Sequence, residues 1–157
     1  MPPKRTRSRR ANVEVTETTF LPSILKKIKG LTKQEVHIGV EGDEELAMIA
    51  GILEHGSKKM NIPARSFIGS GKKKSAAAIS KLVRKGITEL VHDQGDARRL
   101  LIDIGTTGKD RTLKNFDKIK SPPLSPIYAR RKGSNKILVM EEHLRKAITF
   151  VVVRKGR

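Results

Sequence analysis

One stretch, residues 46–68, constrains the fold most, because an apolar helical pattern there runs into a loop that cannot continue it. The stretch reads LAMIAGILEHGSKKMNIPARSFI. The apolar residues that recur at helical spacing, and so predict one buried face, are Leu46, Ile49, Ala50 and Leu53. Gly56 suits the left-handed position after a helix. Pro63 lacks an N–H donor and has a fixed φ, and Asn61 and Ile62 before it are expected to be extended. We therefore expect a rigid helix that ends in a structured, basic loop.

The start of this helix also has a physical signal. Asp43 can accept hydrogen bonds from the first free N–H groups of the helix. Glu44 and Glu45 then place negative charge at the positive end of the helix dipole. The helix is thus predicted to begin directly after Asp43.

The composition limits the core and the chemistry. The chain has 157 residues, enough for one domain, but only 3% are aromatic and Trp is absent. We expect a thin core of Leu, Ile, Val and Ala, with some apolar surface buried against other subunits. Cys is absent, which excludes disulfides and thiol catalysis. His37, His55, His92 and His143 lack the spacing of a zinc site, so no metal and no cofactor are expected.

The net charge of +18 concerns partners rather than the fold. It fits a solvated basic surface, nucleic acid, or an acidic protein assembly. Residues 1–11 form a basic arm, either flexible or ordered on a neighbouring subunit or on DNA, with Lys4, Arg5, Arg7, Arg9 and Arg10 as its cations. Residues 155–157 form a second basic end. No apolar run approaches the ~20 residues that span a membrane, so no membrane partner is expected.

The remaining patterns predict a single α+β domain over residues 12–154. Its predicted helices cover 20–29, 75–91, 97–119, 128–131 and 141–146, and its predicted strands cover 12–16, 35–40, 136–140 and 147–154. Gly69-Ser70-Gly71 is expected to be a flexible hinge. The GTTG sequence at 105–108 leaves open whether 97–119 is one helix or two. The last strand is apolar on both faces, so it is expected to be buried on both faces or central in the sheet. The predicted sheet is small and antiparallel, is formed by the Val36 and Val151 regions with the Val13 region as a candidate third strand, and is packed with helices between extended basic termini.

Two blocks of the chain carry a resemblance to a known family. The matching residues of the first block are Ala50, Glu54, Gly56, Ile62, Pro63, Arg65 and Phe67. Those of the second block are Pro123 to Pro126, Ala129 to Ser134, Leu138, Leu144, Arg145 and Ile148 to Phe150. In this order, they resemble the tail completion (neck, head–tail joining) proteins of tailed bacteriophages. One departure is Met140-Glu141-Glu142, where the family has Asp-Thr-Gly, and it favours a helical start over a tight turn.

The resemblance implies an α+β virion protein that forms a ring, most often a hexamer, in the phage neck. Its partners would be a head-side connector or stopper protein, a tail terminator or tail tube protein, and the DNA in the channel. The protein would stay in the host cytoplasm until assembly. The residues expected to contact other subunits or partners are His55, Lys58, Lys59, Ile62, Pro63, Arg65, Phe67, Leu124, Arg130, Arg131 and Lys132.

Alternatives remain open for single residues and for the whole chain. Arg65 would bond a carboxylate or carbonyls of a partner, or else make a local salt bridge; Phe67 would fill a pocket, or else pack in the core. The protein could instead be a tail terminator, or a basic nucleic-acid-binding protein, although Tyr128 is the only tyrosine available for base stacking. An enzyme is not expected, because no nucleophile and base are paired, and the adjacent Glu54 and His55 point to different helix faces. We expect the free protein to be monomeric or weakly associated.

Overall fold

The computed structural model describes residues 4–9, 13–132 and 142–156. Its elements, in chain order, are β1 (Lys4–Arg9), β2 (Val13–Thr18), α1 (Leu21–Thr32), β3 (Gln34–Val40), α2 (Glu44–His55), α3 (Ile68–Val91), α4 (Ala97–Lys118), α5 (Pro126–Lys132), α6 (Glu142–Ala147) and β4 (Ile148–Arg154). The predicted strand at 136–140 lies outside the described residues.

The α+β prediction is confirmed by a small antiparallel sheet with helices packed on it. β3 pairs with β4 from Gln34 opposite Arg154 to Val40 opposite Ile148. Helix α4 packs against both strands, and α3 packs along α4. The molecule is thus layered as sheet, α4 and α3, with α2 leading out of β3.

Helix α4 is continuous, so the glycines within it mark close packing and not a break. A Cβ at Gly105 would lie 2.1 Å from a ring carbon of Phe150 in β4. A Cβ at Gly108 would lie 2.2 Å from the Cδ1 atom of Ile38 in β3. Both glycines therefore allow the sheet to approach the helix closely.

The predicted hinge at Gly69-Ser70-Gly71 is wrong, because these residues form the first turn of α3. Gly71 is buried against α4, where a Cβ would lie 2.7 Å from the Oγ1 atom of Thr112. Helix α3 therefore starts at Ile68, before the predicted Ser75. Gly71 allows close contact between α3 and α4. Helix α1 likewise continues past its predicted end, through Gly30 to Thr32.

Three predictions about strands are corrected. β4 is not central, since it pairs only with β3 among the described strands, and Val151 is 47% exposed. β2 does not join that sheet but pairs with β1, from Lys4 opposite Thr18 to Arg9 opposite Val13. The third correction concerns the basic arm, which was expected to be flexible or ordered only on a partner. Its described residues form β1, since the backbone hydrogen bonds to β2 need no apolar side chains.

The core lies where α2, the start of α3, α4 and α6 meet β4. Its buried apolar residues are Ala50, Leu53, Phe67, Phe116, Leu144 and Ile148. The rings of Phe67 and Phe116 meet edge to face with their centroids 5.3 Å apart. The predicted apolar face of α2 is confirmed: Ala50 and Leu53 are buried, and Leu46 and Ile49 pack beside them.

Candidate functional site

The candidate site is the segment 56–67 between α2 and α3, called here the contact loop. Helix α2 holds one end of it. The Oδ1 atom of Asp43 accepts a 2.8 Å hydrogen bond from the Leu46 N–H, as predicted for the N-cap. At the other end of α2, Gly56 has φ +76, and its N–H donates to the Ile52 carbonyl at 2.7 Å. A Cβ at Gly56 would lie 2.8 Å from the Ala64 nitrogen, so only glycine fits this turn.

The contact loop is a structured turn, as the sequence predicts. Ser57 and Ile62 exchange backbone hydrogen bonds of 2.8 and 2.9 Å. Asn61 takes the left-handed conformation with φ 53, which asparagine tolerates, so the extended chain predicted before Pro63 is wrong at Asn61. The Arg65 N–H then donates to the Leu53 carbonyl at 2.6 Å and ties the end of the loop back to α2.

Glu54 fixes the start of α3 from the last turn of α2. Its Oε2 atom accepts hydrogen bonds from the backbone N–H groups of Phe67 and Ile68, both at 2.9 Å. Its Oε1 atom accepts from the Gly69 N–H at 2.9 Å and from the Ser66 hydroxyl at 2.6 Å. The carboxylate therefore caps the N–H groups that a helix start leaves without partners, next to the positive end of the α3 dipole.

These contacts also shift the pKa of Glu54. Burial by itself raises the pKa, because it disfavours the charged form. The hydrogen bonds from the Ser66 hydroxyl and from three backbone N–H groups outweigh burial and hold the pKa of Glu54 below its usual range. The cap is thus an ionised carboxylate at neutral pH.

Asn115 of α4 also supports the start of α3. Its side chain is 3% exposed. Its Nδ2 atom donates to the Phe67 carbonyl at 3.0 Å and to the Ser70 hydroxyl at 2.6 Å. The Lys74 ammonium donates to its Oδ1 atom. Every hydrogen-bonding atom of this buried amide therefore has a partner.

Sequence reasoning missed the roles of Glu54 and Asn115. In the sequence, Glu54 is one of the residues that carry the resemblance, and no local pattern indicates that it caps the next helix. For Asn115, a usable signal was present, since Gly105, Gly108, Thr112 and Asn115 recur at spacings of three or four along α4. All of them are buried. Small and polar residues at that spacing indicate close helix packing in addition to the apolar face.

Arg65 is 7% exposed and bonds within the chain. Its Nε atom donates to the Pro122 carbonyl at 3.1 Å, and its NH2 group donates to the Pro123 carbonyl at 3.2 Å. The carbonyls belong to the same chain, so the expected contact with a partner is corrected, and the alternative of a local salt bridge is not found among the described ion pairs. The guanidinium instead clamps the segment after α4 to the end of the contact loop, and the following Leu124 packs half-buried on the core.

Phe67 requires the same correction. Its side chain is 0% exposed and belongs to the core cluster. The alternative of core packing is therefore confirmed, and the predicted contact with a pocket of a partner is corrected. A ring in this position is unavailable to a partner. Phe67 instead anchors the end of the contact loop from inside.

The other contact residues predicted for this region lie at the end of α2 and on the outer side of the contact loop. His55, Lys58, Lys59 and Pro63 are exposed, and Ile62 is half-buried. Met60 lies beside the lysines with 61% of its surface exposed. Among the described ion pairs, none involves Lys58 or Lys59. The loop tip thus combines two free cations with one apolar side chain.

The second predicted contact cluster lies on α5. Arg130 and Arg131 are exposed, and Lys132 ends the helix with its side chain outside the described part. Ile127 on the same helix is 71% exposed. Of the arm residues, Lys4, Arg5, Arg7 and Arg9 lie on β1, whereas Arg10 falls outside the described residues.

Within the described ranges, no group of three or more His, Asp or Glu side chains is placed to hold a metal ion. No helix in that part of the chain has the length and apolar character needed to cross a membrane. No protein-family model, no curated protein and no solved structure matched the chain when it was compared with them.

Proposed function

We propose that this chain is a structural virion protein of the phage neck. It would act as a ring-forming tail completion or head–tail joining protein that links the head connector to the tail and leaves a channel for DNA. No chemical step is assigned to it. The function would lie in surfaces that bind neighbouring subunits and partner rings.

The observation that carries this proposal is the clamp between Arg65 and the carbonyls of Pro122 and Pro123. It brings together the two sequence blocks that resemble the family, although more than fifty residues separate them. The apolar residues of both blocks also share one core, in which Phe67 of the first block packs with Leu144 and Ile148 of the second. The two blocks thus act as one structural unit, which supports treating the resemblance as a single feature.

The shape of the contact loop supports a docking role. Glu54, Arg65 and Phe67 fix the loop from inside, so little conformational entropy is lost when the outer side binds a partner. The free ammonium groups of Lys58 and Lys59 suit an acidic partner surface, and the exposed Met60 offers an adaptable apolar contact.

The test is a joining assay with phage heads and tails from particles that lack this protein. Wild-type protein should restore head–tail joining, and the double variant Lys58→Glu/Lys59→Glu should lose most of it. The matched control is Lys72→Glu/Lys73→Glu, which makes the same charge change at exposed positions of α3. A wild-type protein that binds neither heads nor tails would overturn the proposal.

A basic nucleic-acid-binding protein is the second candidate, and the exposed side of α3 favours it. That side carries Lys81, Arg84 and Lys85, and Lys72, Lys73 and Lys74 near the start of the helix are also exposed. Light scattering with duplex DNA at two salt concentrations separates the candidates. Tight binding by a monomer that weakens steeply with salt would favour this second function. Indifference to DNA near physiological salt, together with head–tail joining, would favour the neck protein.

A further inference from the structure

Helix α1 has an apolar and basic face that nothing in the described part of the chain covers. Ile24, Ile28 and Leu31 are half-buried toward the rest of the domain, and no residue of α1 is fully buried. On the outer side, Leu21 is 65% exposed and Leu25 is 54% exposed. Leu25 borders a shallow surface depression whose rim includes the lysines at 26, 29 and 33.

The first turns of α2 carry the opposite charge. Glu44 and Glu45 in the first turn, and Glu41 shortly before the helix, are exposed, and within the described residues none of them takes part in an ion pair. This is notable in a chain with 34 basic and 16 acidic residues, where cations greatly outnumber carboxylates. Met48 follows Glu44 one turn later on the same helix side and is 59% exposed.

The two surfaces are separated by a strand. Helix α1 leads directly into β3, and α2 begins shortly after β3 ends. With seven residues in β3, the basic end of α1 and the acidic start of α2 lie about 20 Å apart along the strand. Opposite charges at the two ends of one element suit a head-to-tail contact between copies, since each copy presents a different surface at each end.

We propose that the α1 face of one copy binds the start of α2 of a second copy. Met48 of the second copy would enter the apolar depression beside Leu25, and its Glu44 and Glu45 would face Lys26 and Lys29. This assigns the contact between neighbouring subunits of the proposed ring, and in that sense it rests on the proposed function. The outer side of α2 ends at His55, so the interface would be continuous with the start of the contact loop.

Because the chain has no cysteine, cross-linking can test this contact without background. Leu25→Cys and Met48→Cys are made as separate full-length variants, mixed, and oxidised. The contact raises the effective concentration of the two thiols, so the mixed disulfide should form at least about tenfold faster than with the exposed control Ala77→Cys in place of either variant. A mixed rate equal to the control rate would overturn the proposal, as would a symmetric Leu25→Cys dimer that forms faster than the mixed species.

Charge reversal in the same assay tests whether the basic face of α1 and the acidic start of α2 attract each other. Adding Lys26→Glu/Lys29→Glu to the α1 cysteine variant should slow mixed cross-linking, and adding Glu44→Lys/Glu45→Lys to the partner variant should then restore it. The control reversal Lys72→Glu/Lys73→Glu should leave the rate unchanged. Equal slowing by the control, or no recovery in the swapped pair, would contradict the pairing.

The cross-linking result is distinct from the joining assay. Cross-linking at the control rate, with intact head–tail joining, would remove this contact and leave the neck function in place. Fast mixed cross-linking without head–tail joining would keep the contact between copies and remove the neck function.

Discussion

Replacing Glu54 should test the link between α2 and α3 most directly. Glu54→Gln keeps the size of the side chain but replaces one acceptor oxygen by an NH2 group that can only donate. The better orientation places this NH2 group at the position of Oε1, because the Ser66 hydroxyl there can turn and accept from it. The Gly69 N–H would then face another donor, and the N–H groups of Phe67 and Ile68 would bond a neutral oxygen in place of a charged one.

The size of the effect follows from those bonds. The Gly69 bond to a charged acceptor contributes about 1.5 kcal/mol at the low end, and the bonds from Phe67 and Ile68 each weaken by about 0.8 kcal/mol when their acceptor becomes neutral, so the free energy of unfolding should fall by about 3 kcal/mol. For a domain of this length, such a loss lowers Tm by about 6–12 °C. Glu54→Ala should cost at least as much, because it removes the whole cap.

The assay is urea unfolding at neutral pH, with Glu41→Gln as the matched control. Glu41 is exposed outside the helices, so its variant should stay within about 0.5 kcal/mol of wild type. The two Gln substitutions make the same change of net charge. A Glu54→Gln effect no larger than that of the control would refute the reasoning that this carboxylate holds the start of α3.

The remaining predictions concern pH, the arginine clamp, glycine packing and a surface ion pair. Since the folded pKa of Glu54 lies below its usual value of 4.5, its contribution is complete above that pH and is lost as pH falls through the lower folded value; acid titration should therefore destabilise wild type more steeply than Glu54→Gln. Arg65→Lys should cost about 1–3 kcal/mol in urea unfolding, because a lysine cannot bond both proline carbonyls as the planar guanidinium does, and an unchanged midpoint would contradict the clamp. Gly105→Ala should destabilise by about 1–3 kcal/mol through its clash with β4, whereas Gly51→Ala, with nothing within 4 Å of the added Cβ, should stabilise by up to about 1 kcal/mol; similar melting temperatures for the two variants would refute the packing argument. Asp117→Asn should cost no more than about 1 kcal/mol in thermal melts, since its paired carboxylate is 46% exposed, and a larger loss would show that the pair with α6 is worth more than a surface ion pair.

The local signals of the sequence were sufficient for the elements that depend on near neighbours. The start of α2 at Asp43, its end at Gly56 and its buried face all follow from caps and periodicity. Such features are decided within a few residues, so a linear pattern contains them.

Features that depend on distant partners were not predicted. The first turn of α3 looks like a flexible glycine hinge until α4 is placed against Gly71. The strand β4 looks central from its apolar residues until its pairing is known. The inward orientation of Arg65 likewise depends on carbonyls in a segment far along the chain. The spacing of residues in the sequence does not predict contacts between distant segments unless both segments show a recognisable pattern.

The shape of the contact loop depends on the internal contacts of Arg65 and Glu54, and not on the side chains at its tip. Inward-facing Glu54 and Arg65 hold both ends of the loop, while Lys58, Lys59 and Met60 at the tip make none of these internal side-chain contacts. The tip is therefore a natural graft site, where new side chains or a short peptide epitope can be installed while the scaffold beneath stays unchanged. A small library restricted to these three positions would vary binding specificity without placing the fold under selection.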